Sequence, residues 1–282
     1  PMMITVMMPA YNEERDLPGL LERTRAALDG WAHYRVLIVD DGSRDRTAEI
    51  ALEAAQRMPV ELIRHPHNMG LGAAIRTGLK AAAQADGVVV TMDADNSQGP
   101  ELIATMLAKI EDGADVVIAS RFQPGSQEVG VPPHRKFLSH LSSAGIRVLA
   151  PYPGARDYTC GYRVYRAEVL RRLIDRYGDH FVRENGFSCM LEILLNLRRI
   201  RARVAEVPLI LRYDLKEGAS KMRILRTMWR YVVTITRGWL PLHPPAAAST
   251  AAGPATFAAT GTARPDAAVR HAPDSAAQRR DA

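Results

Sequence analysis

The feature that most constrains this chain is a repeated alternation of short, continuously apolar runs with longer helical patterns. Met3-Ile4-Thr5-Val6-Met7-Met8, Val36-Leu37-Ile38-Val39, Val60 to Ile63, Gly87 to Met92 and Val116-Val117-Ile118 read as strands. Leu17 to Leu28, Arg46 to Arg57, Leu71 to Ala85, and the stretch from Pro100 to about Asp112 read as helices between them. Strands apolar on both faces and separated by roughly 10 to 15 helical residues imply βαβ units, and therefore an α/β fold with a mostly parallel central sheet. Such sheets bind ligands beyond the carboxyl ends of their strands. Those ends carry Pro9 to Glu13, Asp40 and Asp41, Asp93 to Ser97, and Ser120-Arg121.

The remaining composition narrows the partners. Of 282 residues, 47% are hydrophobic and 24% charged, which is ordinary for a globular core. Cys160 and Cys189 have neither metal-ligand spacing nor a disulfide framework, so a reduced, cytoplasmic setting is expected. Pro1 to Met8 lacks the basic start and cleavage site of a signal peptide. The longest apolar run, Met228 to Leu242, is interrupted by Arg230 and Arg237, so no membrane span is expected. Residues 198–240 hold 11 Lys and Arg against 3 Asp and Glu, a patch suited to phosphates or a lipid surface. The aromatic-plus-basic motifs of RNA-binding folds are absent, and no nucleic-acid partner is expected. Residues 241–282 are rich in Ala, Pro and Thr with a single aromatic, Phe257, and read as a disordered tail.

The chemistry concentrates at Asp93-Ala94-Asp95. Two carboxylates at i and i+2, at a strand's end, can face one cleft and hold Mg²⁺ or Mn²⁺, whose shell is completed by water and substrate phosphates. The competing reading is a solvated turn capped by Asp95 or Ser97; the position after a buried strand, opposite Asp40 and Asp41, favours the cleft. Asp40-Asp41-Gly42-Ser43 is a strand-to-helix turn whose acids can also accept bonds from a base or ribose. No G-x-G-x-x-G follows the first strand and no G-x-x-x-x-G-K-[ST] occurs, which disfavours a dehydrogenase and excludes a P-loop NTPase. Asn68-Met69-Gly70-Leu71-Gly72 reads as a helix-entry turn.

Taken in order, Pro9-Ala10-Tyr11-Asn12-Glu13, Val39-Asp40-Asp41-Gly42-Ser43, Asn68 to Gly72 and Asp93-Ala94-Asp95 resemble glycosyltransferase family 2, which has the Rossmann-like GT-A fold for nucleotide-sugars. Ser120-Arg121-Phe122, Asp157 to Arg163, Gly186-Phe187 leading to Glu192, Glu206-Val207-Pro208 and Gly218-Ala219-Ser220-Lys221 are similar to the branch acting on dolichyl or polyprenyl phosphate with mannose. The resemblance implies that Pro9, Tyr11, Glu13, Val39 and Asp41 hold the base and ribose, that Asp93 and Ala94 touch the nucleotide, and that Asp95, with Ser97 and Asp93, holds Mg²⁺ or Mn²⁺. It also implies that Arg121, Arg135 and Lys221 face the diphosphate and the acceptor phosphate. One departure stands out: the family's arginine three residues before the glycine of its G-x-S-K motif is Leu215 here, with Lys216 and Arg212 as candidate replacements.

A hydroxyl acceptor needs a general base, whereas a phosphate monoester is already anionic near neutrality. Aligned on Glu192, the stretch that carries an acidic base in hydroxyl-acting relatives reads Ser188-Cys189-Met190, which favours a phosphate acceptor; Glu184 and Asp157 are the alternatives. Lys221 to Trp239 has the pattern of a basic amphipathic helix, with Arg223, Arg226, Arg230 and Arg237 on one stripe and Met222, Leu225, Met228, Trp229, Val232, Ile235 and Trp239 on another. That pattern suits a membrane interface, the competing reading being a helix packed on the domain. The expected organisation is a GT-A domain over 1–215, an interfacial helix over 216–240 and a tail over 241–282, peripheral at the inner face of the cell membrane. The expected reaction moves mannose from GDP-mannose to a polyprenyl phosphate with inversion. The alternatives are a UDP-glucose or UDP-N-acetylglucosamine donor with a lipid phosphate or sugar hydroxyl acceptor, and a nucleotide-sugar-binding subunit without turnover.

Overall fold

The computed structural model describes residues 2–31, 33–217, 224–239 and 269–271. In chain order the elements are β1 (Ile4–Ala10), α1 (Leu17–Leu28), β2 (Tyr34–Asp40), α2 (Thr47–Ala54), β3 (Val60–Arg64), α3 (Leu71–Ala82), β4 (Val88–Thr91), α4 (Ile103–Glu111) and β5 (Val116–Ser120). They continue with β6 (Gln127–Val129), α5 (Pro133–Leu149), β7 (Arg163–Arg166), α6 (Ala167–Tyr177), α7 (Cys189–Arg199), β8 (Val204–Pro208), β9 (Ile210–Arg212), α8 (Ile224–Trp239) and β10 (Val269–His271).

The main sheet has the order β10-β3-β2-β1-β4-β7-β5-β8. All residues of β1, β4 and β5 are buried, as strands covered by helices on both faces must be. Parallel pairing of β1 with β2 aligns Ala10 with Asp40, and parallel pairing with β4 aligns Met7 with Thr91. Three strands therefore release their chains on one edge, where Tyr11, Asp41 and Asp93 follow.

Two features go beyond the sequence reading. β7 runs antiparallel between β4 and β5, a strand the periodicity did not predict. Within the segment read as a structureless tail, Val269–His271 pair in parallel with β3 at the sheet's edge, where open backbone groups accept any extended segment. The rest of 241–282 lies outside the described residues. A separate parallel pair, β6 with β9, brings the chain after β8 back over the cleft.

Candidate active site

A cavity of about 520 Å³ opens at this edge. Pro9, Tyr11, Glu13, Asp41, Asn68, Asp93, Ala94, Asp95, Ser97, Arg121 and Arg135 all line it. Of the residues expected at the site, Val39 does not. It lies wholly buried inside β2, and a Cβ added to Gly78 of α3 would stand 3.1 Å from its Cγ2. Strand alternation turns that side chain into the core, so Val39 is a packing residue. Lys221 falls outside the described residues.

The first wall is built by hydrogen bonds between loops. Asn12 N donates to Ser43 Oγ at 2.9 Å, Glu13 N to Thr47 Oγ1 at 2.8 Å, and Arg44 N to Asn12 Oδ1 at 2.9 Å. Asp40 caps Ser43 N at 2.9 Å and forms an ion pair with Arg64 at 3.0 Å that lacks hydrogen-bond alignment. Asp41 accepts from Met69 N at 2.9 Å and Gly70 N at 2.8 Å and bonds His65 Nδ1 at 2.7 Å, while His65 Nε2 meets Thr77 at 3.0 Å. Asp41 thus faces the cavity but spends its carboxylate fixing the 65–70 loop. The same loop abuts the chain at 184–185: a Cβ on Gly72 would lie 1.7 Å from Glu184 O, which leaves room only for glycine.

The second wall carries the carboxylate pair. Gln98 grips Asp93 twice, its Nε2 donating to Oδ2 at 2.9 Å and its Oε1 accepting from Asp93 N at 3.0 Å. Burial, and then the charge of Asp95, push the Asp93 carboxyl up to about 7. Asp95 Oδ1 accepts from Ser97 Oγ at 2.5 Å, and Asp95 Oδ2 is paired with Lys216. Ser97 therefore orients Asp95. Two oxygen-bearing carboxyls that repel one another at a cavity wall fit a hard divalent cation. Among the described residues no three Asp, Glu, His or Cys groups form an all-protein cage. The residues therefore fit an ion that arrives with phosphate ligands of its own.

The third wall is cationic. Arg121 lies in a bidentate pair with Asp157, Nε to Oδ2 at 2.8 Å and Nη2 to Oδ1 at 2.7 Å, and donates also to Thr159 at 2.6 Å and Ser139 at 3.0 Å. Burial alone would raise the Asp157 carboxyl, but the Arg121 charge outweighs it and holds the group below its ordinary value. Arg135 on α5 donates to Tyr213 Oη at 2.7 Å. Glu184, buried, accepts from Arg230 at 2.7 and 2.8 Å and from Ser188 at 2.7 Å, with Arg237 at 3.4 Å.

These contacts revise the reading of α8. Arg230 and Arg237 both reach Glu184, Arg230 half-buried and Arg237 still largely exposed, and Thr234 and Ile235 are buried. Thr227, Met228 and Tyr231 line the cavity. Trp229 and Val232 stay outside, so the apolar stripe is divided between two faces. Arg223 lies outside the described residues. Gln98, Tyr213 and Ser139 gave no sequence signal, since each acquires its role only through a neighbour the fold supplies.

A mostly parallel sheet whose strand ends present a paired carboxylate opposite half-buried guanidiniums defines a GT-A scaffold. The match of residues 5–174 to the model of glycosyl transferase family 2 agrees. The chain belongs to glycosyltransferase family 2 and is a glycosyltransferase. It is 32% identical over 237 residues to a dolichol-phosphate mannosyltransferase of Pyrococcus furiosus, covering 84% of this chain and 63% of that protein. It is 31% identical over 234 residues to the dolichyl-phosphate beta-glucosyltransferase ALG5A of Trichomonas vaginalis, covering 78% and 68% respectively. Among solved structures, glucosyl-3-phosphoglycerate synthase of Mycobacterium tuberculosis, crystallised with Mn²⁺ and uridine diphosphate, superposes with a TM-score of 0.63 at 18% identity, covering 84% of this chain and 80% of that one.

Proposed function

We propose that this enzyme transfers mannose from GDP-mannose to a polyprenyl phosphate with inversion. The observation that carries the acceptor assignment is the state of the two alternative bases. Asp157 and Glu184 are each locked in bidentate arginine pairs, so neither is free to deprotonate a hydroxyl. A phosphate monoester needs no such base.

The residues then divide the work. Pro9, Tyr11, Glu13 and the 65–70 loop fixed by Asp41 receive the nucleoside. Asp95, with Asp93 beside it and Ser97 orienting it, would hold Mg²⁺ or Mn²⁺, which when bound would supply Lewis-acid neutralisation of the departing diphosphate. Arg121 and Arg135 draw the acceptor phosphate in, and a guanidinium fixed in advance by Asp157 costs little reorganisation when the anion arrives. A phosphate oxygen attacks the anomeric carbon, the bond to the diphosphate breaks with its electron pair, and the nucleoside diphosphate departs. Opposite anomeric configuration follows from displacement on the far face.

The lipid would lie along an apolar edge beside the cavity mouth. Phe137 and Leu141 on α5 and Trp229 and Val232 on α8 are exposed, and neither helix contains an acidic residue. Apolar side chains among cations suit an anionic membrane surface. Among the described residues no helix is long and apolar enough to cross a membrane.

A second donor is favoured by the relative from Trichomonas vaginalis, a glucosyltransferase by name. Thermal shift with GDP-mannose, UDP-glucose and UDP-N-acetylglucosamine, each with and without Mn²⁺, separates the readings. Stabilisation by GDP-mannose that requires Mn²⁺ is expected. Stabilisation by a UDP-sugar alone reassigns the donor, and none with any nucleotide-sugar contradicts the proposal.

A further inference from the structure

The ammonium of Lys216 rests on Asp95, and the segment that carries it is tied down at both ends. Arg212 N donates to Ser97 O at 2.9 Å, and Glu217 N donates to Asp16 Oδ1 at 2.8 Å. Between them the Lys216 Nζ lies 5.7 Å from the centre of the Tyr213 ring. The Lys216 side chain is only 10% exposed, and it lines the cavity together with Glu13, Asp93 and Asp95. Arg212 takes no part: it turns away to Asp214 at 2.7 Å.

Both oxygens of Asp95 therefore have a partner, Ser97 on Oδ1 and Lys216 on Oδ2. A divalent cation drawing on Asp95 comes within a few ångströms of that ammonium, in a place where water screens poorly, and the two repel. A lysine can yield without moving its backbone, because a flexible four-carbon stem carries the charge. A diphosphate entering with the ion offers the ammonium a new anionic partner.

We propose that Lys216 competes with the divalent cation for Asp95, and that a nucleoside diphosphate relieves the competition by accepting the ammonium. Metal and nucleotide then bind this chain as a coupled pair. By linkage, each tightens the other by the same factor. The inference rests on the reading of Asp95 as the metal-holding carboxylate, and it makes Lys216 the residue that sets how strongly the protein holds metal on its own.

The test is Mn²⁺ binding to the full chain, read from the electron paramagnetic resonance of the free ion, with and without GDP or UDP. Lys216→Met and Lys216→Gln, each checked for a native melting temperature, should bind Mn²⁺ at least tenfold more tightly than wild type without nucleotide. The tightening that nucleotide produces should shrink by a similar factor, and Lys216→Arg should restore wild-type behaviour. Suppose wild type binds Mn²⁺ with nucleotide, Asp95→Asn does not, and both charge-removing variants match wild type throughout. Competition is then overturned while the metal assignment stands. If Asp95→Asn binds Mn²⁺ like wild type, or if no variant binds it even with nucleotide, the metal assignment falls and the inference falls with it.

Discussion

Asp157 accepts five hydrogen bonds, three from Arg121 and one each from the backbone N–H groups of Thr159 and Cys160, and it is wholly buried. Removing one partner of such a pair leaves an uncompensated buried charge, so Asp157→Asn should cost about 3 kcal/mol in urea unfolding. It should still leave measurable transfer, because Asp157 positions Arg121 and touches no reacting atom. The folded carboxyl lies below its ordinary value, so its stabilisation is present above about pH 4 and is lost as pH falls further. Wild type should therefore lose more stability than Asp157→Asn between neutral pH and acid, and equal losses would show that the pair is not ionic. Asp95→Ala should abolish turnover while the circular-dichroism spectrum stays native, with some fall in melting temperature because Lys216 and Ser97 lose their partner. The place of Asp93, Asp95 and Arg121 at the cavity was legible in the sequence because strand ends and motif order fix it, whereas Arg135, on α5, came only with the family resemblance. Lys216 on Asp95 was not legible, because 121 residues separate them and only the return of the chain through β9 joins them.

At the scale of elements, Glu184 fastens α8 to the domain. One buried carboxylate holds arginines at two positions, Arg230 and Arg237, seven residues apart and so on one face of the helix. Glu184→Gln keeps a hydrogen-bonding side chain but removes the charge, and amide exchange across α8 should quicken by tenfold or more while the sheet's protection is unchanged. Unaltered exchange would mean that Thr234 and Ile235 hold the helix by burial alone. The basic pattern of α8 was readable; its inward use was not, since a helical wheel does not reveal a buried acid 46 residues upstream. β7 escaped notice for a similar reason. Its ends are Arg163 and Arg166, and a four-residue strand bounded by arginines has no apolar run, although Arg163 is wholly buried and bonds the carbonyls of Tyr158 and Met190. On the outer faces, Phe137 is 67% and Trp229 68% exposed. Changing both to Ser should weaken binding to anionic vesicles by about tenfold, or about 1.4 kcal/mol, if they enter the interface. Undiminished vesicle binding would remove these two helices from the membrane contact.

Across the whole molecule the charges are sorted. Carboxylates gather where β1, β2 and β4 end, guanidiniums face them from β5 and α5, and an apolar edge without acids lies outside α5 and α8. The two anionic reactants of a lipid-phosphate transfer would repel each other in water; on the proposed reading Arg121 and Arg135 would meet the acceptor phosphate while the metal ion would neutralise the diphosphate. If the nucleophile is a phosphate, the rate should fall as pH drops through about 6, where the dianion is lost. A pH profile flat from 5 to 8 would argue for another nucleophile. The mostly parallel sheet and the location of the cleft at its strand ends followed from apolar periodicity, whereas the place of β7 in the sheet did not; the substrate pair rests on which groups the fold leaves free. The most direct test is transfer itself. The full chain is supplied with Mn²⁺ and radiolabelled GDP-mannose, and offered a short polyprenyl phosphate or the matching polyprenol. Label should enter the phosphate lipid as a hexosyl phosphate, should not enter the alcohol, and should vanish with Asp95→Ala. Label in the alcohol alone, or transfer indifferent to Asp95→Ala, would contradict the account.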